Sequence, residues 1–473
     1  MHMPSSSFVV RITLFWLFCS FCNTSCRKWV QVAPPENQLN MPTVFASDEN
    51  AASALSGLYI HMMNNPRGLM NGGISLYGGL SSDELGCTGR NLWEYGFLQD
   101  TLSPVNPLCT GLYDSGYNLL FIANSLLNGL SLSTGVSASA KAQLGGEAKM
   151  IRALIYFYLV NLYGDVPLVL STDYSQTALL PRSPVADVYA QIKNDIRDAQ
   201  QQLSANYPST AASPSLGRFR PNRTVATALL ARVYLYTSDW SKADSAATAV
   251  IGNPLYRLES ALDNVFDSTS QEAIWQLRPV YGNIATAEGN FFIPPTAATP
   301  PVYPLGNDLI EGFESADQRL QHWTAKNGNG ARYPYKYKQR VAGAANPEYN
   351  MVIRLAEIYL IRAEARIREG DVAGGIADIN VIRRRAGLAP IVTITPDDSP
   401  MAAVWRERQT ELFTEWGHRW LDLKRSGQAG DVLAAVKPHW KSTAVLYPLP
   451  YSELVSNPRL MQNPGYLDFN PGP

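Results

Sequence analysis

Charge is scarce in this chain of 473 residues: Asp, Glu, Lys and Arg make up 17%, and the formal net charge is −1. A nearly neutral chain has no broad attraction for nucleic acid, and the short run Arg383, Arg384, Arg385 does not reverse that. Histidine is scarcer still, with five residues and no His-Glu-x-x-His zinc motif. A Gly-x-Ser-x-Gly nucleophile elbow and a phosphate-binding Gly-Lys-Ser/Thr loop are also missing. Gly328, Asn329 and Gly330 lack the third glycine and the preceding strand of a dinucleotide fingerprint. No cofactor and no enzymatic activity are therefore expected.

Long apolar runs are lacking too. Ile12 to Cys22 is uncharged and mostly apolar, but a membrane-crossing helix needs about 20 such residues. The run fits the core of a signal peptide spanning 1–25. Cysteine is rare, and Cys19, Cys22 and Cys26 crowd into or just after this run. Asn23, Thr24, Ser25 and Cys26 resemble a bacterial lipoprotein processing box, so Cys26 is the expected lipidation site, and 26–41 a tether. A metal site on these three cysteines has no second pair to complete it. Cys87 and Cys109 stay in the mature chain. Export permits a disulfide between them, and two separate thiols are equally compatible with the sequence.

Helical periodicity begins near Asp48, with Ala51, Ala54, Leu55, Leu58 and Tyr59 on one face. It returns over 112–130, 145–163 and 184–203. The glycine-rich stretch 64–98, with Trp93 and Tyr95, reads as a long loop. Residues 224–251 form helix, turn, helix around Ser238 and Asp239, and 354–387 repeat that shape around Gly370 and Asp371. Aligning the two aspartates also aligns Ala231 with Ala363. The pairs are tetratricopeptide-like, but too far apart for a tandem array of about 34-residue units. Between them Ala273–Leu277 reads as a strand, and 271–349 is irregular and rich in Tyr, Trp, Gly and Pro. Such a stretch is usually functional. Helices are expected again over 350–369, 372–386 and 402–416. The expected domain is 42–473, with its core in 42–270 and 350–473.

Two charged clusters invite a chemical reading. Glu357 and Glu364 lie two helical turns apart on one face, yet no histidine or further acid joins them. Amphipathic periodicity assigns them to the wet faces of a helix pair, with Glu364 spaced for an i,i+4 pair with Arg368. Glu415 and His418 form half of a di-metal motif, which needs a second Glu-x-x-His. Charge pairing of Glu407, Glu411 and Glu415 with Arg406, Arg408 and Arg419 is the better reading. Buried members of that network would fix helix-to-loop geometry. An acid pair drawn from Asp83, Glu84, Glu94, Glu288, Asp308, Glu311 and Glu314, in or near the aromatic loops, keeps an extracellular glycoside hydrolase as an alternative.

Five blocks in order resemble the SusD/RagB family of outer-membrane nutrient-binding lipoproteins. They are GEAKMIRALIYFYLVNLYGDVPLV, GRFRPNRTVATALLARVYLYTSDWSKA, VIRLAEIYLIRAEAR with INVIRRRAG, RERQTELFTEWGHRWLDLKR, and LYPLPYSELVSNPRLMQNPGY. The resemblance implies a mainly α, SusD-like fold with tetratricopeptide-like helix pairs, long irregular loops and minor β structure. It implies a lipid anchor at Cys26 in the outer membrane, facing outside. It also implies a TonB-dependent (SusC-like) transporter as partner, and capture of a glycan or, in some members, a peptide. A structural or assembly subunit of the transporter is a further alternative. A sugar ring offers an apolar face to aromatic rings and a hydroxyl rim to amides. The candidate contacts are accordingly Trp93, Tyr95, Tyr281, Asn283 and Trp323.

Overall fold

The computed structural model describes residues 41–208, 217–280, 282–393 and 399–466. The expected signal segment, Cys26 and Tyr281 lie outside the described residues. Residues 1–44 form a unit of their own, described only at the helical turn Met41–Val44. All that follows concerns the second unit, Phe45–Pro473.

Helix α1 (Asp48–Met63) starts where Ser47 Oγ accepts from the Asn50 N–H. The expected loop over 64–98 is instead two helices, α2 (Gly72–Ser81) and α3 (Leu92–Leu98). Every residue of α2 is buried. Its glycines have low helix propensity, which is why the stretch reads as loop. Tertiary contact overrides that preference: a Cβ on Gly78 would stand 2.8 Å from the Gly417 Cα. Backbone meets backbone there, and only glycine permits it.

Helices α4 (Pro107–Leu132) and α5 (Ala138–Tyr163) start earlier than the periodicity suggests. Asn106 caps the first, with Pro107 at its first position, and Ser137 caps the second. Then come α6 (Val185–Gln202), α7 (Arg223–Tyr236) and α8 (Trp240–Ile251). Strand β1 is Ala273–Leu277, as the sequence suggests. A short helix α9 (Ala287–Phe292), helix α10 (Gln318–His322) and the hairpin β2 (Thr324–Lys326) with β3 (Arg332–Pro334) punctuate the irregular region. The expected helix 350–369 divides: Asn350–Arg354 is strand β4, antiparallel to β1, and α11 covers Leu355–Arg368. Helix α12 (Val372–Arg385) follows, then α13 (Pro400–Leu412). The expected 402–416 helix stops at Leu412 because Thr414, Trp416 and Gly417 take left-handed φ values of 53°, 48° and 67°. The chain restarts as α14 (His418–Arg425).

Successive helices pack as α5 on α6, α6 on α7, α7 on α8, α8 on α11, and α11 on α12 and α13. Ala363, Ile379, Met401 and Val404 form one patch of the core between α11, α12 and α13. Ala231 and Ala363, aligned by the repeat, are both fully buried. Gly370 turns the second pair with φ 93°, and Ser238 holds the matching left-handed position with φ 55°.

Arg368 and Arg384 do lie on wet faces, but several other charges of 354–387 do not. Arg354, Glu357, Glu364 and Asp378 are buried. Glu364 receives two hydrogen bonds of 2.7 Å from Arg425, not from Arg368. Arg232 grips Glu357 through Nε and Nη2 at 2.6 Å each, and also donates to the Val352 carbonyl. Arg354 reaches Glu272 at 2.8 Å, Glu411 at 2.5 Å and Glu415 at 2.8 Å. Arg319 reaches Glu407 and Glu411, while Lys336 reaches Glu415. Glu407, Glu411 and Glu415 are therefore paired with distant cations, not with Arg406, Arg408 and Arg419. Arg408 binds Asp422, and Arg419 binds Asp83. Periodicity cannot see such partners, because a buried ion pair joins segments remote in sequence. Removing one member leaves an uncompensated charge, at a cost of about 3–5 kcal/mol.

Candidate ligand-binding surface

Helix α3 places Leu92, Trp93 and Tyr95 on the surface, with 81%, 45% and 36% exposure. Its start is set by Asn91, whose Oδ1 accepts from the Trp93 N–H at 3.1 Å. Asn106 Nδ2 donates to the Trp93 carbonyl at 3.0 Å, and the Tyr95 hydroxyl donates to the Cys87 carbonyl. The segment before α3 pairs with the aromatic-rich region. Gly86 N–H bonds the Pro304 carbonyl at 2.8 Å, and Thr88 N–H bonds the Val302 carbonyl at 2.9 Å. This short ladder brings half-exposed Val302 beside Thr88 and Gly89, in the segment that precedes α3.

A polar knot lies beneath. Arg67 Nη1 donates to Glu94 Oε1 at 2.7 Å and to the Tyr77 hydroxyl at 3.1 Å, while Nη2 donates to the Tyr303 hydroxyl at 3.3 Å. Tyr303 in turn donates to Glu94 Oε1 at 2.8 Å. The guanidinium also lies over the Phe291 ring, 5.2 Å from its centre. Arg67 thus ties α2, α3, α9 and the 301–305 strand-like segment together. The pair is neutral as a whole, and Glu94 is buried while part of Arg67 stays open to solvent. Sequence reasoning missed Arg67, because a lone arginine after Asn65 and Pro66 carries no local signal.

The other expected contacts fare differently. Asn283 is exposed, and its carbonyl accepts from the Ala342 N–H, four residues before α9. Trp323 is fully buried, which corrects its assignment as a ligand contact. Its indole N–H donates to the Leu262 carbonyl at 2.9 Å. Lys336, Arg354 and Arg385 crowd its ring, at 4.8, 5.5 and 5.4 Å from the centre. No ring face is left for a ligand. Density of aromatics in a region does not distinguish a platform from a packed core residue.

The acids offer little for catalysis. Asp83 is bound by Arg419, Glu94 by Arg67, and Glu314 by Arg383. Glu288 accepts from Ser75 and Asn350, and Glu84 from the Thr414 N–H. Burial pushes Glu84 up to about 8 and Glu288 up to about 6. Asp308 and Glu311 are exposed on the turn Asn307–Gly312. Glu357 and Glu364, candidates by spacing, are each held by a separate arginine. Burial lowers His418 to about 4, so it is neutral beside Glu357, 3.9 Å away. No group of three or more His, Cys, Asp or Glu able to hold a metal occurs among the described residues. Cys87 and Cys109 are free thiols, and burial pushes Cys109 up to about 12.

Two family models match: "SusD family" over 281–466 and "Starch-binding associating with outer membrane" over 79–235. A SusD-like protein of Formosa agariphila is 27% identical, covering 77% of this chain and 82% of its own length. The starch-binding protein SusD of Bacteroides thetaiotaomicron is 23% identical, covering 71% and 75%. Among solved structures, a SusD superfamily protein from Bacteroides vulgatus superposes with a TM-score of 0.76 at 22% identity, over 89% of this chain and 99% of that one. Surface glycan-binding protein A from Bacteroides thetaiotaomicron, solved in complex with laminarihexaose, gives a TM-score of 0.74 at 18% identity, over 88% and 99%. The mainly helical fold, the two matched models and the sequence relatives agree, and the chain belongs to the SusD/RagB family.

Proposed function

We propose that this protein is a non-catalytic glycan-binding lipoprotein of the outer membrane. It captures an oligosaccharide or polysaccharide outside the cell and hands it to a TonB-dependent, SusC-like transporter. Cys26 carries the lipid that holds it there. One observation carries the reading: Trp93 and Tyr95 are exposed together on a short helix whose underside is fixed by Arg67, Glu94 and Tyr303. Rigid aromatic faces suit the C–H face of a sugar ring, and pre-organisation lowers the entropy lost on binding. The starch-binding relative and the structural neighbour solved with laminarihexaose support the ligand class. Asp83, Glu94 and Glu314, tied up by arginines, and Glu288, tied up by an amide, support binding without turnover.

A panel of immobilised glycans, screened with the purified protein and followed by chromatography of the supernatant, tests this. Retention on at least one glycan without released product is expected. Product release would replace the binding role with a hydrolytic one.

A further inference from the structure

A cleft lies away from the α3 surface, between α4 and the segment 170–176. Its volume is about 550 Å³, within the roughly 300–1,000 Å³ usual for small-molecule sites. The lining has the character of a sugar site. Asn128 and Ser131 come from one wall, Ser171 and Thr172 from the other, and Leu127 and Leu170 supply apolar surface. Tyr174, next to the lining residue Asp173, is 80% exposed. No lysine or arginine lines the cleft. Its one carboxylate, Asp173, is already engaged: Ser175 donates to Oδ1 and Gln176 to Oδ2. That charge repels an anionic ligand, and the remaining groups favour a neutral, hydroxyl-rich one.

The cleft is also pre-built. The segment leading into it is pinned by side chains from α4 and α5. Tyr117 donates to the Pro167 carbonyl, and Asn124 Nδ2 to the Val169 carbonyl, at 2.9 Å each. Tyr156 both donates to the Val169 carbonyl and accepts from its N–H. Asn124 lines the cleft at 2% exposure, and Arg152 fixes its Oδ1 at 2.8 Å while gripping Asp195 with two further bonds. With both Asn124 amide atoms engaged, Asn128 and Thr172 are the lining groups suited to a sugar's hydroxyl rim, Leu127 and Leu170 suit its apolar face, and Tyr174 adds an exposed ring at the margin.

We infer that this cleft is a second binding site for a neutral oligosaccharide, separate from the α3 surface. The inference rests on the glycan-binding reading. Two points of attachment on one chain would raise retention of a long polysaccharide through effective concentration.

Calorimetric titration of the full-length protein tests it, using neutral hexasaccharides beginning with laminarihexaose and maltohexaose. Wild-type protein is expected to bind two equivalents. Tyr174→Ala or Asn128→Ala should remove one and leave the other with unchanged affinity. Trp93→Ala should leave the cleft site intact. Both cleft positions are exposed, and an unchanged Tm verifies folding. A single equivalent that Trp93→Ala abolishes and Tyr174→Ala spares would overturn the second site while upholding the first. No binding to any neutral hexasaccharide would overturn both.

Discussion

Lys336 Nζ sits 4.8 Å from the centre of the Trp323 ring, inside a cage that Phe413 closes from 4.0 Å. Burial lowers this lysine to about 8, with Glu415 opposing the shift, so it still carries its charge at neutral pH. Trp323 is therefore a wall of the ion network. Trp323→Ala should cost about 3–5 kcal/mol in urea unfolding, the range for a large core truncation. Glycan affinity of the fraction that remains folded should be unchanged. A folded variant of native stability with lost affinity would return Trp323 to the ligand surface.

The Arg232–Glu357 pair makes a second test. Glu357→Gln strips the charge that holds a buried guanidinium, and should cost about 3–5 kcal/mol. Replacing both by apolar residues, Arg232→Met with Glu357→Leu, should recover most of that loss. Equal stability of the single variant and the wild type in chemical denaturation would contradict the network.

Glu84 gives a pH signature. Burial raises its folded pKa from 4.5 to about 8, with the Thr414 N–H, Arg419 and Lys336 opposing and Asp83 adding to the rise. The stability it contributes is present below 4.5 and is lost as pH rises through 8. Glu84→Gln keeps the shape of the neutral acid and does not titrate. Its stability advantage over the wild type should therefore grow between pH 4.5 and 8, at about 1.4 kcal/mol per pH unit. A constant difference across that window, measured by thermal melts in matched buffers, would show that Glu84 is ionised in the fold.

Ser238 occupies the left-handed position that Gly370 fills in the matching helix pair. Because Ser238 is exposed, Ser238→Gly should remove the left-handed penalty and stabilise the protein by up to about 1 kcal/mol. A loss of stability on this change would mean that the serine side chain contributes more than the conformation costs.

The sequence exposed the scaffold more readily than the site. Ala231 and Ala363, Asp239 and Asp371 reveal two similar helix pairs because helical packing is periodic. Helix α2 was hidden because its glycines answer to close contacts, Gly78 with Gly417 and Gly73 with the Arg67 carbonyl, not to propensity. The buried charges of α11 were misread as wet because amphipathic patterns do not distinguish a charge facing water from one facing a remote arginine. Trp93 and Trp323 look alike in sequence, and only packing separates an exposed ring from a caged one. Arg67 was invisible for the same reason: its partners at 77, 94 and 303 meet only in the fold.

The most direct measurement is the affinity of wild-type, Trp93→Ala and Arg67→Met proteins for a glycan retained by the wild type, by calorimetry. Trp93→Ala should weaken binding at the α3 surface at least tenfold, about 1.4 kcal/mol, with an unchanged Tm. Arg67→Met should weaken it too, by releasing α3 from the knot beneath. Unchanged affinity in the folded Trp93→Ala variant would contradict the placement of the ligand on α3.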